Sequence, residues 1–328
     1  MINCFRAISE LKNASGTCLL ADSYSLIVCP WSAIRTRYSP VHRCSENQKG
    51  LMQVKNDPVK ENKEDILKEN QQKRHQPVRW VFASDFDDTL FFHDGRGLQE
   101  SDVQAIREFQ KRGNLFGLCT GRPAVLRSQI EQLTQGRIQF DFEIYSCGSV
   151  ILDSNQEKIF EKTLPESFVA KASAYFPDVP FKAHSAKGIL YSGPIERIDP
   201  GSAAESREDF LKDPVYEISF PKTNPAACRA VENLKQESDA SCHENSYIAD
   251  FVHSQVSKAT GLGFVCKLND VPISNSAAMG DSFNDLSMIE AAGIGFTFPD
   301  AEECVKEAAD RQTGSIAQAL AELMNQTE

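Results

Sequence analysis

From residue 78 onward, short apolar runs alternate with stretches in which apolar residues recur every three or four positions. The runs at 78–84, 114–119 and 142–146 have the length of buried strands, and the segments between them show helical spacing. This β-α-β-α-β order predicts a parallel sheet with helices on both faces, because each crossover helix packs back onto the sheet.

Local signals predict where the two intervening helices begin and end. Ser101 with Gln104 matches a capping box at the start of the first helix, and Gly113 is suited to its end. Pro123 is suited to the first turn of the second helix, where its missing N–H leaves no bond unmade. We therefore expect helices that begin near Ser101 and near Pro123.

The regular alternation stops between residues 166 and 250, where we predict an α+β insert. Its predicted helices lie at 166–175, near 204–211 and after Asn224-Pro225. Its predicted strands lie near 180–184, 187–192, 215–220 and 246–252.

After the insert the first pattern returns. Helices are predicted at 257–268 and from about Asn284, and strands at 274–279 and 294–298. The prediction is therefore an α/β protein with a doubly wound parallel-sheet core, residues 78–165 and 251–328, interrupted by a smaller domain at 166–250.

The first 77 residues form an N-terminal extension that differs in composition from the rest. Residues 55–76 are almost wholly polar, which predicts a solvated linker. Residues 1–50 carry six Lys and Arg, three Asp and Glu and many Ser, a weak match to an organelle transit peptide. The alternative is a disordered tail or a wrongly assigned start codon. The predicted location is the cytoplasm, or a plastid or mitochondrion if this segment is a transit peptide.

Charge and composition narrow the classes of partner. The 328 residues carry a net charge of −11, and residues 78–328 hold 38 acidic against 23 basic residues. An acidic body argues against nucleic acid as the main partner. The sequence contains no run of about 20 apolar residues that would span a membrane. Its ten cysteines include no CxxC pair, which favours reduced thiols inside the cell. The sequence leaves the oligomeric state unknown.

Carboxylates gather at the predicted strand ends. Asp85 and Asp87 follow the first strand, and Asp281 and Asp285 follow the strand at 274–279. The carboxyl ends of parallel strands meet at one edge of the sheet, where ligands of such folds bind. Carboxylates around one point repel each other, and a hard cation with oxygen ligands, usually Mg²⁺, would relieve that repulsion. The sequence therefore predicts a magnesium site at this edge.

The same edge carries groups suited to phosphoryl transfer. Of the neighbouring carboxylates Asp85 and Asp87, one can attack phosphorus while the other moves protons. At the next strand end, the Thr120 hydroxyl and the N–H of Gly121 can bind a phosphoryl oxygen. Lys258, near a helix start, can neutralise phosphoryl charge. These groups predict an enzyme that acts on a phosphorylated substrate.

Four motifs, in this order, resemble those of the haloacid dehalogenase superfamily: Asp85-Phe86-Asp87-Asp88-Thr89, Thr120-Gly121-Arg122, Lys258 and Gly280-Asp281-Ser282-Phe283-Asn284-Asp285. The resemblance covers roughly residues 78–328, and the insert after the second motif resembles the Cof-like phosphatases. It implies a Rossmann-like core with a C2-type cap. It also implies a Mg²⁺-dependent phosphatase that hydrolyses a small phosphorylated metabolite, such as a sugar phosphate, through an aspartyl-phosphate.

The resemblance implies catalytic roles for individual residues. Asp85 would be the nucleophile that forms the aspartyl-phosphate. Asp87 would protonate the leaving oxygen and then deprotonate water, and Thr89 would help to hold it. Thr120 would bind the phosphoryl group and Lys258 would stabilise it.

The resemblance also implies a set of metal ligands. Asp281 would bind Mg²⁺ together with the carboxylate of Asp85 and the carbonyl oxygen of Asp87. Asp285 would bind the ion directly or through water. Asn284 would support the loop and is a candidate substrate contact.

The sequence departs from the family pattern at several positions. Asp88 stands where glycine is usual in this branch, and we expect this difference to have no effect on function. Cys147 lies in SCGS, where Asn-Gly is frequent; a packed loop thiol is favoured over a site-lining one. A plain polar turn is favoured over substrate contact for His93. Arg122 either binds substrate or pairs with a carboxylate.

Two other functions stay open on the sequence alone. Phosphotransferases such as sugar phosphomutases share these motifs and differ in what accepts the phosphoryl group. A non-catalytic phosphate-binding module of the receiver type also combines acidic residues, Thr and Lys around Mg²⁺, but it has no need of Asp87. In the cap, the sequence does not rank the possible substrate contacts Lys182, His184, Lys187 and Tyr191.

Overall fold

The computed structural model of the chain describes residues 79–193, 200–244 and 247–325. The predicted linker at 55–76 and the candidate transit peptide at 1–50 lie outside the described residues. Within the described ranges, each helix is too short or too polar to cross a membrane.

The strands, in chain order, are β1 (Val81–Ser84), β2 (Phe91–Phe92), β3 (Gly97–Leu98), β4 (Leu115–Cys119), β5 (Phe142–Tyr145), β6 (Val150–Asp153), β7 (Lys158–Glu161), β8 (Phe181–Ser185), β9 (Ile189–Ser192), β10 (Ser202–Ala203), β11 (Val215–Pro221), β12 (Ala240–Glu244), β13 (Ile248–His253), β14 (Ser276–Met279), β15 (Ile294–Thr297) and β16 (Arg311–Gln312).

The α-helices are α1 (Glu100–Lys111), α2 (Arg127–Leu133), α3 (Glu166–Ser173), α4 (Pro225–Leu234), α5 (Lys258–Leu268), α6 (Leu286–Ala291), α7 (Glu303–Ala308) and α8 (Ile316–Asn325). Short 3₁₀ turns lie at Ala124–Leu126, Ser146–Gly148, Arg207–Leu211, Ile273–Asn275 and Phe283–Asp285.

The larger sheet has the strand order β16-β15-β14-β1-β4-β5-β6-β7. Neighbouring strands are parallel from β16 to β5, so the predicted parallel core is confirmed. The pairs β5–β6 and β6–β7 are antiparallel, and the sequence analysis missed both β6 and β7. Only a short turn connects β5 to β6, and so short a connection cannot cross the sheet to make a parallel pair.

Helices cover both faces of this sheet. On one face, the Phe82 ring lies 5.5 Å from the Phe116 ring on the neighbouring strand and 6.4 Å from the Phe109 ring of α1, between centroids. On the other face, Ile144 of β5 contacts α5 at Gly261, where a Cβ would come within 2.9 Å of the isoleucine. Apolar side chains on alternate strand positions therefore bind a helical layer on each side.

The second sheet has the order β10-β9-β8-β11-β13-β12 and is antiparallel except for the short β9–β10 pair. One face packs against α3 and α4 around Phe168, Phe181, Phe220 and Phe251. The insert therefore has an apolar core of its own, as the prediction of an α+β cap requires. The sequence analysis missed β12, a half-buried strand whose apolar positions hold only the small residues Ala240 and Cys242.

Two helix starts test the local predictions. α4 begins as predicted, because the side chain of Asn224 accepts two hydrogen bonds, of 2.8 and 3.1 Å, from N–H groups of its first turn. α1 begins at Glu100, so Ser101 lies inside the helix and the predicted capping box is wrong. Asp102 in the first turn accepts a 2.8 Å hydrogen bond from the N–H of Ala317, a long-range contact that no local pattern predicts.

A Gly117→Ala substitution tests the packing of the parallel core. A Cβ at this position would lie 2.4 Å from ring atoms of Phe142 on the neighbouring strand, so we expect a loss of unfolding free energy. Overpacking of this kind costs about 1–3 kcal/mol. The matched control is Gly263→Ala inside α5, where the space is open; it should be neutral or stabilise by up to about 1 kcal/mol. Urea unfolding measures the free energy of unfolding of both variants. Equal stability of the two variants would contradict the close contact between Gly117 and Phe142.

Candidate active site

Three of the predicted site residues follow strands that lie side by side. β14, β1 and β4 are neighbours in the larger sheet, and Asp281, Asp85 and Thr120 follow them at the same carboxyl edge. The N–H of Asp85 donates a 2.9 Å hydrogen bond to the carbonyl oxygen of Met279, the last residue of β14. This bond holds the backbone of Asp85 beside the loop that carries Asp281.

The ammonium group of Lys258 lies between two buried carboxylates. Its Nζ is 2.7 Å from Asp85 Oδ1 and 2.6 Å from Asp285 Oδ1, and Lys258 is only 1% exposed. Lys258 is the first residue of α5, and Ser257 before it forms a capping box with Thr260. The capped helix start therefore fixes the lysine at the strand ends.

The buried cluster of Asp85, Asp281, Asp285 and Lys258 holds more carboxylates than ammonium groups. Burial and the neighbouring Asp285 raise the pKa of Asp85 well above its usual value, although Lys258 opposes this. Burial acts to lower the pKa of Lys258, but the carboxylates of Asp285 and Asp85 outweigh it and raise that pKa well above its usual value. One ammonium cannot balance the carboxylates of Asp85, Asp281 and Asp285.

The loop after β14 is built around the carboxylate of Asp285. Its Oδ2 accepts hydrogen bonds from the backbone N–H groups of Asp281 and Ser282, both 3.1 Å long. Gly280 makes this approach possible, because a Cβ there would lie 2.3 Å from Asp285 Cγ. Asn284 Oδ1 accepts a 2.7 Å hydrogen bond from the Ser282 hydroxyl, so this side chain supports the loop.

The carboxylates of Asp85, Asp281 and Asp285 can hold a metal ion. Their oxygens lie within 4.8 Å of one another, and all three residues are buried. Carboxylate oxygens are the donors that hard divalent cations prefer. The donor set therefore fits the predicted ion, and the excess negative charge supplies a reason for binding it.

The side chain of Asp87 is held apart from this cluster. Arg122 donates two hydrogen bonds to it, Nε to Oδ2 at 2.8 Å and Nη2 to Oδ1 at 2.7 Å, and His93 Nε2 lies 2.6 Å from Oδ1. Burial opposes ionisation of Asp87, but the bonds from Arg122 and His93 outweigh it and hold its pKa well below the usual range. The hydrogen bond to Asp87 raises the pKa of His93 against the effect of burial.

The contact of His93 with Asp87 was not predicted from the sequence, whereas the pairing of Arg122 with a carboxylate is one of the two alternatives that the sequence left open. A plain polar turn was the favoured interpretation of His93, which follows β2 at the hairpin it forms with β3. Arg122 pairs with a carboxylate 35 residues away in sequence, and its guanidinium lies 5.1 Å from the Phe86 ring centroid. No local pattern encodes contacts of this range.

Two neighbouring residues behave differently from expectation. Thr89 was expected to hold Asp87, but its Oγ1 donates to Asp281 Oδ1 at 3.3 Å, so that prediction is wrong. Asp88 has a φ of 57°, a conformation that glycine adopts freely and that aspartate tolerates. Its Oδ1 accepts a 3.2 Å hydrogen bond from the N–H of His93, so it also helps to position that residue.

Thr120 and Gly121 lie in the loop after β4. The buried Thr120 hydroxyl oxygen accepts a 3.1 Å hydrogen bond from the N–H of Arg122, which leaves its proton able to bond a phosphoryl oxygen. The buried Cys147 packs against Val252 of the second sheet, and its Sγ lies 3.5 Å from where a Cβ of Gly121 would stand. Cys147 is thus a packed thiol that also borders this loop.

Comparison with known proteins decides the family. The model of the haloacid dehalogenase-like hydrolases matches residues 82–323, which is most of the chain. The chain belongs to this family. The superfamily, its Cof-like branch and a hydrolytic enzyme, all predicted from the four motifs, are confirmed.

Two curated relatives of this haloacid dehalogenase-like hydrolase match most of their own length at low identity. It is 26% identical over 234 residues to the 5-amino-6-(5-phospho-D-ribitylamino)uracil phosphatase YcsE of Bacillus subtilis, a match covering 70% of this chain and 88% of the relative. It is 22% identical over 231 residues to the phosphoglycolate phosphatase of Methanopyrus kandleri, with the same coverage of 70% and 88%.

Solved structures share the fold. A sugar phosphatase of HAD subclass IIB aligns with a TM-score of 0.65 at 20% identity, covering 75% of this chain and 98% of that structure. At this identity the likeness shows a common fold, including a core with an inserted cap. The roles of single residues in this hydrolase stay predictions.

A Lys258→Met substitution tests the charge cluster. It would leave Asp85 and Asp285 buried without their shared cation, and removing one partner of a buried ion pair costs about 3–5 kcal/mol. The control is Lys306→Met, because Lys306 pairs with the exposed Glu303 at the surface, where the change should stay below about 1 kcal/mol. Urea unfolding measures the free energy of unfolding of both variants. If Lys258→Met loses no more stability than the control, the buried ion pairs of Lys258 do not stabilise the fold as described.

Proposed function

We propose that the chain is a Mg²⁺-dependent phosphatase that hydrolyses a small phosphorylated metabolite through an aspartyl-phosphate on Asp85. The observation that carries this proposal is the separation of two aspartates that stand two residues apart. Asp85 lies in the buried cluster with Lys258, whereas Asp87 lies against Arg122 and His93. Two carboxylates in such different surroundings can take different chemical roles.

In the first step an Asp85 oxygen attacks phosphorus and the bond from phosphorus to the leaving oxygen breaks. Lys258 fixes the carboxylate by a hydrogen bond to Oδ1, so the attacking group is oriented before substrate arrives. The leaving oxygen takes a proton from Asp87. In the free protein Asp87 accepts hydrogen bonds as an ionised group, so its proton arrives with or after the substrate.

In the second step water attacks the phosphorus of the aspartyl-phosphate. Asp87 takes a proton from this water, the bond between phosphorus and Asp85 breaks, and the Asp85 carboxylate is restored with release of inorganic phosphate. The ionised state in which Arg122 holds Asp87 is the state that a base requires.

Mg²⁺ would be held by the carboxylates of Asp85, Asp281 and Asp285 with the carbonyl oxygen of Asp87. Bound there, the ion would neutralise charge on the phosphoryl oxygens and admit a dianion to an acidic site. Thr120 would donate its hydroxyl hydrogen to a phosphoryl oxygen, and Gly121 would donate its N–H.

The relatives support the class of substrate. One is named for a phosphorylated ribitylaminouracil and the other for phosphoglycolate, both small phosphorylated molecules. Hydrolysis is favoured over a non-catalytic phosphate-binding module because the chain carries a second carboxylate, Asp87, two residues after the proposed nucleophile, and binding alone does not need it. The chain is therefore assigned as a phosphatase, with a sugar phosphate as one candidate substrate.

An Asp87→Asn substitution tests the two-step reaction. An aryl phosphate needs little acid assistance to leave, so the variant should still be phosphorylated but should hydrolyse the intermediate slowly. Loss of a positioned acid–base group lowers the rate by ~10²–10⁴-fold. Rapid mixing with p-nitrophenyl phosphate should give a burst of one leaving group per protein followed by a slow steady state.

The control for this experiment is Asp85→Asn, which should show neither burst nor turnover because an amide of the same shape is not a nucleophile. A steady-state rate of the Asp87→Asn variant equal to wild type would contradict the acid–base role. Turnover by the Asp85→Asn variant with a normal circular dichroism spectrum would remove Asp85 from the reaction.

A further inference from the structure

The two carboxylate oxygens of Asp87 are held differently. Arg122 donates one hydrogen bond to each of them, from Nη2 to Oδ1 and from Nε to Oδ2. Arg122 alone would leave the two oxygens equivalent. The third bond, from His93 Nε2 to Oδ1 at 2.6 Å, makes them differ. Because an ionised carboxylate only accepts hydrogen bonds, Nε2 is a protonated nitrogen of the His93 ring.

This difference indicates which oxygen of Asp87 can move a proton. A carboxylate oxygen has two lone pairs, so the two donors on Oδ1 use both of them. Oδ2 accepts the bond from Arg122 with one lone pair and keeps the other. The side chain of Asp87 is partly exposed, so substrate and water can reach it. His93 therefore reserves Oδ2 for proton transfer.

Both donors rest on one pair of stacked rings. The rings of Phe86 and Phe91 lie 5.8 Å apart between centroids and are 9° from parallel. The guanidinium of Arg122 lies 5.1 Å from the Phe86 centroid, and the His93 ring meets the Phe91 ring edge to face, at 5.2 Å between centroids. Such distances are those of attractive cation–π and aromatic contacts. The stacked pair therefore supports Arg122 at one end and His93 at the other.

The turn after β1 brings the two rings together. The N–H of Phe91 donates a 2.8 Å hydrogen bond to the carbonyl oxygen of Phe86, and the N–H of Asp88 donates one of 2.8 Å to the carbonyl oxygen of Phe91. The same turn holds the backbone of His93, whose N–H donates to Asp88 Oδ1 at 3.2 Å. A glycine at position 88 has no side chain to make that bond. Both the backbone and the ring of His93 are thus fixed.

We propose that His93 is a positioning residue for proton transfer by Asp87. The inference rests on the proposed phosphatase function and adds a residue that acts through Asp87 rather than on the substrate. By donating to Oδ1, His93 holds the carboxylate so that Oδ2 gives a proton to the leaving oxygen in the first step. Oδ2 then takes a proton from water in the second step.

With an aryl phosphate as substrate, the two steps depend on His93 to different extents. The aryl oxygen leaves with little acid assistance, so formation of the aspartyl-phosphate tolerates a misplaced Asp87. Hydrolysis of the intermediate does not tolerate it, because the attacking water must lose a proton. Loss of the contact should therefore slow the second step and let the aspartyl-phosphate accumulate.

Two variants separate the hydrogen bond of His93 from its packing. His93→Phe keeps a ring against Phe91 and removes the donor, whereas His93→Gln keeps an N–H donor and removes the ring. His93→Phe should slow hydrolysis of the aspartyl-phosphate about tenfold and change its formation by less than about twofold, as expected for one hydrogen bond to a charged group. His93→Gln should keep both rates within about threefold of wild type.

The measurement uses labelled p-nitrophenyl phosphate and Mg²⁺ at steady state. The fraction of protein trapped as phosphoprotein by acid quench, together with kcat, gives the rate constant of each step. The control is Asp94→Asn on the same hairpin, since the carboxylate of Asp94 pairs with Arg96 at the surface. It should leave both rate constants unchanged. If His93→Phe fails to fold by circular dichroism, His93→Ala replaces it with the same result expected.

A double variant shows whether His93 acts through Asp87. In the Asp87→Asn background, His93→Phe should slow hydrolysis of the intermediate by less than about twofold more, because the carboxylate that His93 positions is already gone. A residue that contacts substrate or only stabilises the fold would keep its full effect in that background.

The outcomes separate this inference from the proposed function. Three results would overturn the inference alone: His93→Phe hydrolyses the intermediate as fast as wild type, His93→Gln is as slow as His93→Phe, or the loss persists in full beside Asp87→Asn. A folded wild type with Mg²⁺ that does not hydrolyse p-nitrophenyl phosphate would overturn the phosphatase function, and this inference with it.

Discussion

The structure depends on one electrostatic constraint at the end of a parallel sheet: three buried carboxylates, Asp85, Asp281 and Asp285, lie together, and a single ammonium group pairs with only two of them. The fold creates this constraint because β14 and β1 are neighbours and their carboxyl ends meet. Lys258 balances part of the charge from the start of α5, and the backbone N–H groups of the β14 loop hold Asp285 in place. The negative charge that remains unbalanced favours the binding of a divalent cation.

A second feature is that the two aspartates Asp85 and Asp87 lie in different surroundings. Arg122 and His93 hold Asp87 outside the cluster, although it stands only two residues from Asp85. In the second sheet, His184, Glu217, His243 and Asp250 carry buried side-chain atoms without hydrogen-bond partners.

The sequence predicted the parts of the molecule that local patterns encode. Buried apolar runs located β1, β4 and β14, and their order placed the carboxylates at one edge before any distance was known. It did not reveal the antiparallel strand β6, which a short turn connects to β5, or β12, whose apolar positions hold only small residues. It also missed the contacts of His93 and Thr89, since each depends on a partner that only the folded chain brings near.

The measurement that tests the central claim most directly is thermal unfolding with and without Mg²⁺. The carboxylate cluster should bind the ion in the folded state, so Mg²⁺ should raise the Tm of wild type. At a concentration of 100 times Kd, the gain in the free energy of unfolding should be about 2.7 kcal/mol. Asp281→Asn should raise the Tm of the metal-free protein by relieving repulsion and should abolish the response to Mg²⁺, whereas Asp87→Asn should keep the response. An unchanged wild-type Tm, or an equal Mg²⁺ response in Asp281→Asn, would contradict the account.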